Sequence, residues 1–208
     1  MRTLVIRACV VGIAVLAVAG CGSESESAPE ATSSSAVASV APVSAEQQIR
    51  DLVAQEGKAL SGFDFNRLAE LTCVQYREAV RNQVDTLFPP ISAAGAPGEL
   101  AGAPVDLLTS GFKRQHPTAS DATINQLVDA LIRYDEPAYK AANLEILRQT
   151  SKASIDKVEN IKVTGDKATA DLTTTWVFGE NPPATATQPN AFVKENGRWL
   201  DCQPPTPQ

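Results

Sequence analysis

The chain has 208 residues, 43% of them hydrophobic and only 5% aromatic, with a formal net charge of −6 at pH 7. That acidic balance excludes the basic footprint of a nucleic-acid-binding domain and any charge-driven attraction to anionic lipid. The length suits one ordinary domain with a real core, once a leader and a linker are set aside.

Arg2 and Arg7 give the chain a basic start, and residues 8–20 form an uninterrupted apolar run ending in Ala19 and Gly20. A helix that crosses a bilayer needs about 20 such residues, so this shorter run fits the core of a secretory signal. Val18, Ala19, Gly20 and Cys21 resemble the bacterial lipobox at each of its positions. The resemblance implies a lipoprotein signal peptide over 1–20, cleaved before Cys21, whose thiol carries a diacylglycerol. Several acyl chains anchor stably where one does not, because each buried CH₂ contributes about 0.8 kcal/mol. The expected location is the outer face of the cytoplasmic membrane, with membrane contact through lipid alone. With Arg2 and Arg7 removed, Lys+Arg falls from 18 to 16 against 24 Asp+Glu, a mature net charge of −8.

Residues 21–45, rich in Ser, Ala, Glu and Pro, bury too little apolar area to offset chain entropy and read as a disordered tether. "SESES" (23–27) reads as solvated spacer within it. With Cys9 in the signal and Cys21 lipidated, Cys73 and Cys202 remain. Outside the cytoplasm such a pair is expected as a disulfide. The rival readings are a reactive thiol or a metal pair, and two cysteines with no histidine nearby make a poor zinc set.

A single domain is expected over 46–203. Ser44 with Gln47 three residues on has the pattern of a capping box, and Ile49, Leu52, Val53 and Leu60 then recur on one helical face until Gly62. Asp64 caps a predicted second helix over 65–88 with Phe65, Leu68, Thr72, Tyr76, Val80 and Leu87 inward, stopped by Pro89–Pro90. Cys73 falls on the inward side. Residues 89–119 read as a Gly/Pro/Ala-rich loop, in which "AGAPGEL" (94–100) is nearly repeated as "AGAPVDL" (101–107) and His116 stands just beyond. Loops tolerate such added length. Ile124, Leu127, Val128, Leu131 and Ile132 then mark a buried helical face. Pro137 suits the first turn of a further helix continuing over 138–150, with Tyr139, Ala142, Ile146 and Leu147.

From 153 the period becomes two. Strands are expected over 155–163, irregular between Val158 and Ile161, and over 168–178, joined by "TGDK". Residues 179–189 read as a loop, and 190–202 as a hairpin turning on Asn196-Gly197. Residues 204–208 read as a disordered tail. Helices followed by consecutive antiparallel strands imply an α+β domain, with N-terminal helices packed on a curved sheet and an extra helical insertion.

"FDFNRLAELTC", "VTGDKATADLTTTW" and "FVKENGRWLDC" resemble the exported actinobacterial lipoproteins that carry a nuclear-transport-factor-2-like (SnoaL-like, cystatin-like) domain. The likeness covers 46–84 and 153–202, whereas 89–150 departs from the compact pattern. It implies a cone-shaped sheet around a long helix, a pocket at its open end, and pairing of copies through the outer sheet face. It does not specify a function, because that superfamily hosts isomerases, dehydratases, ligand carriers and interaction modules.

Three classes of function follow. A catalytic cone needs a carboxylate or a His–Asp pair as general base. Asp171 is placed on the solvent side of its strand and His116 in a loop without a partner, and the sequence holds no G-x-S-x-G, H-E-x-x-H or phosphate loop. No catalytic residue, metal ligand or cofactor is therefore assigned, and the chain is not expected to be an enzyme, with an isomerase or dehydratase as the alternative. A pocket for a small apolar ligand is the second class, with Tyr76, Leu172, Trp176 and Phe192 as lining, unless these side chains are simply core. The third is an envelope module that binds a protein partner. A non-catalytic binding module, for ligand or protein, is the reading of the sequence.

Overall fold

The computed structural model describes residues 43–205. The signal, Cys21 and nearly all of the tether lie outside that range. Ser44 caps helix α1 (Ala45–Ser61) by accepting the Gln47 backbone N–H at 3.2 Å. Only half of the capping box forms, because the Gln47 amide turns instead to Asp51 at 2.8 Å. Ile49, Leu52, Val53 and Ala59 form the buried stripe of α1, and Gly62 ends it. Phe63, at φ 49°, reverses the chain into Asp64, which accepts the Arg67 N–H and caps α2 (Phe65–Leu71).

The single helix predicted over 65–88 is three short ones. Besides α2 these are α3 (Val74–Arg81) and α4 (Gln83–Leu87). Between α2 and α3 the chain runs extended at Thr72 and Cys73, and Thr72 forms an isolated parallel bridge with Asp201. The Cys73 N–H donates to the Asp201 carbonyl at 2.7 Å. A distant strand thus takes the backbone groups that would have continued the helix. Cys73 is fully buried, but at the helix break and not on a helical face.

The loop expected over 89–119 is also largely helical. A 3-10 turn (Ile91–Ala93) precedes α5 (Pro97–Ala101) and α6 (Val105–Gln115). The two near-identical heptads each open a helix, with Pro97 in the first turn of α5 and Pro104 as the N-cap of α6. Proline's fixed φ suits exactly that place, where its missing N–H is no loss. Helices α7 (Asp121–Ile132) and α8 (Glu136–Thr150) follow, capped by Ser120 and Asp135. Ile132 is only half-buried at the end of its otherwise buried face.

Four strands, β1 (Ser151–Thr164), β2 (Lys167–Phe178), β3 (Ala184–Glu195) and β4 (Arg198–Asp201), form one antiparallel sheet in the order β1-β2-β3-β4. Strand β1 begins four residues before the expected start, and β3 takes in 184–189, half of the expected loop. Cross-strand pairing at Thr173–Thr187 and Thr175–Thr185, sealed by hydroxyl contacts of 2.8 and 2.7 Å, holds this polar outer segment in the sheet. The irregularity in β1 is present between Glu159 and Lys162, with Asn160 at φ 54°, and a second lies between Ile155 and Lys157. Such bulges bend and twist a strand, and they curl this sheet. Asn196 (φ 50°) and Gly197 (φ 80°) make the expected tight turn between β3 and β4.

The result is the α+β architecture that the sequence implied. Helix α1 packs with the inner face of the sheet around Ile49, Leu52, Val53, Leu71, Ala168, Ala170, Leu172, Phe192 and Trp199. The 3-10 turn and α5, α7 and α8 share a second core around Ile91, Leu100, Ile124, Leu127, Leu131, Ala142 and Ile146. A third cluster, Phe63, Phe65 and Ala153 with Leu60, Leu147 and Trp176 against it, joins the two layers.

Candidate ligand-binding site

Strand β1 runs against α1, with Ile155 opposite Gly57, and the inner faces of β2, β3 and β4 continue the wall from there. Registers Leu172↔Gln188, Ala170↔Asn190 and Phe192↔Asp201 place Leu172, Thr174, Trp176, Asn190 and Asp201 on the α1 side. Together with Glu56 and Leu60 of α1, Leu68 and Thr72 of α2, Val80 of α3 and Gln83 of α4, they line a cavity of about 290 Å³. Gln203, Pro204 and Pro205 close one side of it. A second, more apolar chamber of about 310 Å³ lies between Phe63, Phe65, Leu87, Leu147 and Phe178. Trp176 and Gln83 belong to both walls, so the two chambers adjoin across them. The indole of Trp176 stacks on Phe178, ring centroids 5.8 Å apart.

Two carboxyl groups stand in the first chamber. Glu56 occupies the apolar stripe of α1 and is only 5% exposed. Its Oε1 is buried without a hydrogen-bond partner. Burial, reinforced by the negative charge of Asp201, raises its pKa well above the ordinary glutamate value. The Asp201 carboxyl is likewise pushed up by burial. It is pulled back in part by the Gln203 backbone N–H at 2.7 Å and by the nearby Asn190 amide. That amide stays outside hydrogen-bonding geometry, its Nδ2 buried and unpaired. Among the described residues, the lining of both chambers contains no lysine, arginine or histidine. Arg77, at the same corner, is committed to the Thr72 carbonyl at 3.2 and 3.3 Å.

The four residues expected to line a pocket are divided. Leu172 and Trp176 do line the first chamber. Phe192 is fully buried in the core beneath it, held by α1 and the sheet. Tyr76 lies outside both linings, with its hydroxyl accepting a hydrogen bond from Gln75 on the surface of α3. The helix break at Thr72–Cys73 shifts the phase of everything after it, which carries Tyr76 away from the predicted face.

Cys73 and Cys202 form a disulfide, Cα–Cα 5.1 Å, that ties the α2–α3 break to the end of β4. Asp201 sits immediately before it. Asp171 lies on the outer face and accepts from Asn160 at 2.7 Å, and His116 is the C-cap of α6. His116 lines a separate cavity of about 540 Å³ with Pro117 and Glu180, whose lining includes neither carboxyl, and partial burial lowers its pKa. No cluster of metal-binding side chains occurs among the described residues.

Glu56, Asp201 and Asn190 were not singled out in the sequence. One signal for Glu56 was available: with Ile49, Leu52, Val53 and Leu60 it keeps helical spacing, so an acid stands where an apolar residue belongs.

No family model and no curated protein matches this chain. Among solved structures, a SEC-C motif-containing protein from Rhodopseudomonas palustris aligns over 77% of this chain and 76% of its own, at 13% identity and a TM-score of 0.35.

Proposed function

We propose that the domain is an extracytoplasmic binding module that takes a small, mostly apolar ligand with a polar head into the paired chambers. The observation that carries this reading is the polar end itself: a largely apolar cavity whose ionisable lining groups, among the described residues, are the buried Glu56, with one oxygen unpaired, and the half-buried Asp201. Pockets of this composition, chiefly apolar with a few convergent polar groups, are the usual form of small-molecule sites. Native mass spectrometry of the protein as purified from an exporting host tests it. A stoichiometric added mass, lost in Trp176→Ala, is the expected result. A bare chain that also fails to take up added apolar ligands overturns it and favours a protein partner.

The module is anchored, on this reading, through a lipid on Cys21, which lies outside the described residues. The support is the lipobox-like "VAGC" after a short apolar run. Replacing Cys21 by Ala is expected to release the protein from membranes and abolish its acyl mass. Retention of both in the variant sinks the anchor.

A second reading, proton-transfer catalysis in the same chamber, is favoured by the same two carboxyls, since burial that raises an acid's pKa suits general acid–base work. Turnover of a captured ligand by the wild type, and not by Glu56→Gln, separates it from binding alone.

A further inference from the structure

We infer that the head of the ligand is a protonated amine, held by the Glu56–Asp201 pair, with its apolar body in the chamber between Phe63, Phe65 and Phe178. The inference rests on the pocket reading above and adds the chemical class of the ligand.

The argument is one of unmet need. Two acids, Glu56 buried and Asp201 half-buried, share a cavity, and neither has a basic partner among its described lining residues. Burial, with the charge of Asp201 added at Glu56, biases both groups toward their protonated forms. A carboxylate ligand would bring a negative charge to a lining without a described basic side chain, so it is the poorest match. A neutral alcohol or ketone would accept one hydrogen bond and leave the pair as it was. An ammonium group changes the balance, because it offers up to three donors to the oxygens of Glu56, including the unpaired Oε1, and of Asp201. Its charge lets the pair ionise, and the protons released go to solvent. Charge-assisted bonds of this kind are about twice as strong as neutral ones.

The surroundings fit the same head. Thr174, Gln83 and Gln203 supply further oxygen acceptors around the chamber. The Trp176 ring, stacked on Phe178 and shared between the two walls, brings aromatic surface to the place where head and body meet. Beyond it, the wall of the second chamber consists of Phe63, Phe65, Leu87, Leu147 and Phe178, with Gln83 as its only polar side chain. Head and body thus have separate, adjoining places.

The test uses the full-length protein in lipid nanodiscs, with empty nanodiscs as the blank, and three matched probes: 4-phenylbutylamine, 4-phenylbutanol and 4-phenylbutyrate. Titration calorimetry at pH 7 is expected to give an affinity for the amine at least tenfold above that for the alcohol, with no binding of the carboxylate. Repeating the titration in buffers of different ionisation enthalpy should reveal proton release for the amine alone. Glu56→Gln should bring the amine down to the level of the alcohol, and Asp201→Asn serves where the first variant does not fold. An alcohol that binds as tightly as the amine overturns the cationic head while leaving the pocket standing. Amine preference that survives both substitutions overturns the assignment to the carboxyl pair. Failure of all three probes overturns the pocket together with its ligand class.

Discussion

Glu56 carries a thermodynamic signature apart from any ligand. Its pKa in the folded protein is raised, so the folded state binds its proton more tightly than the unfolded chain does. The contribution to stability is complete below the unfolded glutamate value, near 4.5, and is lost as pH climbs through the folded value. Asp201 acts in the same direction. His116 and Asp156, both with lowered values, act oppositely and lose stability as pH falls. Glu56→Gln keeps the shape and removes the titration. Its unfolding free energy, measured by denaturant from pH 5 to 8, should therefore decline less with rising pH than that of the wild type. Parallel curves for the two proteins would show that Glu56 is not buried as an acid. Aromatic residues divide as sharply. Phe192→Ala removes a fully buried ring and should cost about 3–5 kcal/mol, whereas Tyr76→Ala, half-buried and outside the three core clusters, should cost about 1 kcal/mol. Neither difference is legible in sequence, where both are aromatics on a predicted inward face. The distinction comes from which neighbours the tertiary structure supplies.

At the scale of elements, local signals read well and long-range ones did not. Ser44 and Asp64 cap helices through their own side chains as expected, and Asn196-Gly197 turns the last hairpin, while Ser120 and Asp135 cap α7 and α8 without having been singled out in the sequence. These depend on three or four neighbouring residues. The break between α2 and α3 depends on Asp201, more than a hundred positions away, and no periodicity announces it. The helices hidden in 89–119 were obscured by glycine and alanine, yet Glu99 reaching the Ala96 N–H at 3.0 Å marks the start of α5. The curl of the sheet was foreshadowed by one bulge of the two in β1. The disulfide is what keeps the break and the last strand together. It closes a separation of 129 residues, for which chain entropy gives about 4–5 kcal/mol as an upper figure. Cys73→Ser with Cys202→Ser should lower the unfolding free energy by a comparable or smaller amount, with a loss of the cavity beside Asp201 seen as weakened ligand retention. A double variant as stable as the wild type would assign the corner to the backbone bridge alone.

Across the whole described domain, the layers differ in how deeply they are held. α7 buries Thr123, Ile124, Leu127, Val128, Ala130 and Leu131, while α6 buries none of its side chains and leaves Val105 and Leu107 exposed. Opening free energies follow such burial. Amide exchange should accordingly be slower by orders of magnitude in α7 and the centre of β2 than in α6, and equal protection of α6 and α7 would contradict this ranking. The paired chambers lie between well-held parts, with one wall from α1, the first described helix, and another from β4 and the three residues after Cys202. Glu56 and Asp201 thus meet only when the two ends of the domain do. A ribosome delivers Glu56 long before its counterpart, so a nascent chain carries that acid on an incomplete wall until the last strand is added. The chamber that joins Glu56 to Asp201 is therefore closed by the last strand made, whereas the adjoining apolar chamber draws only on residues before that strand.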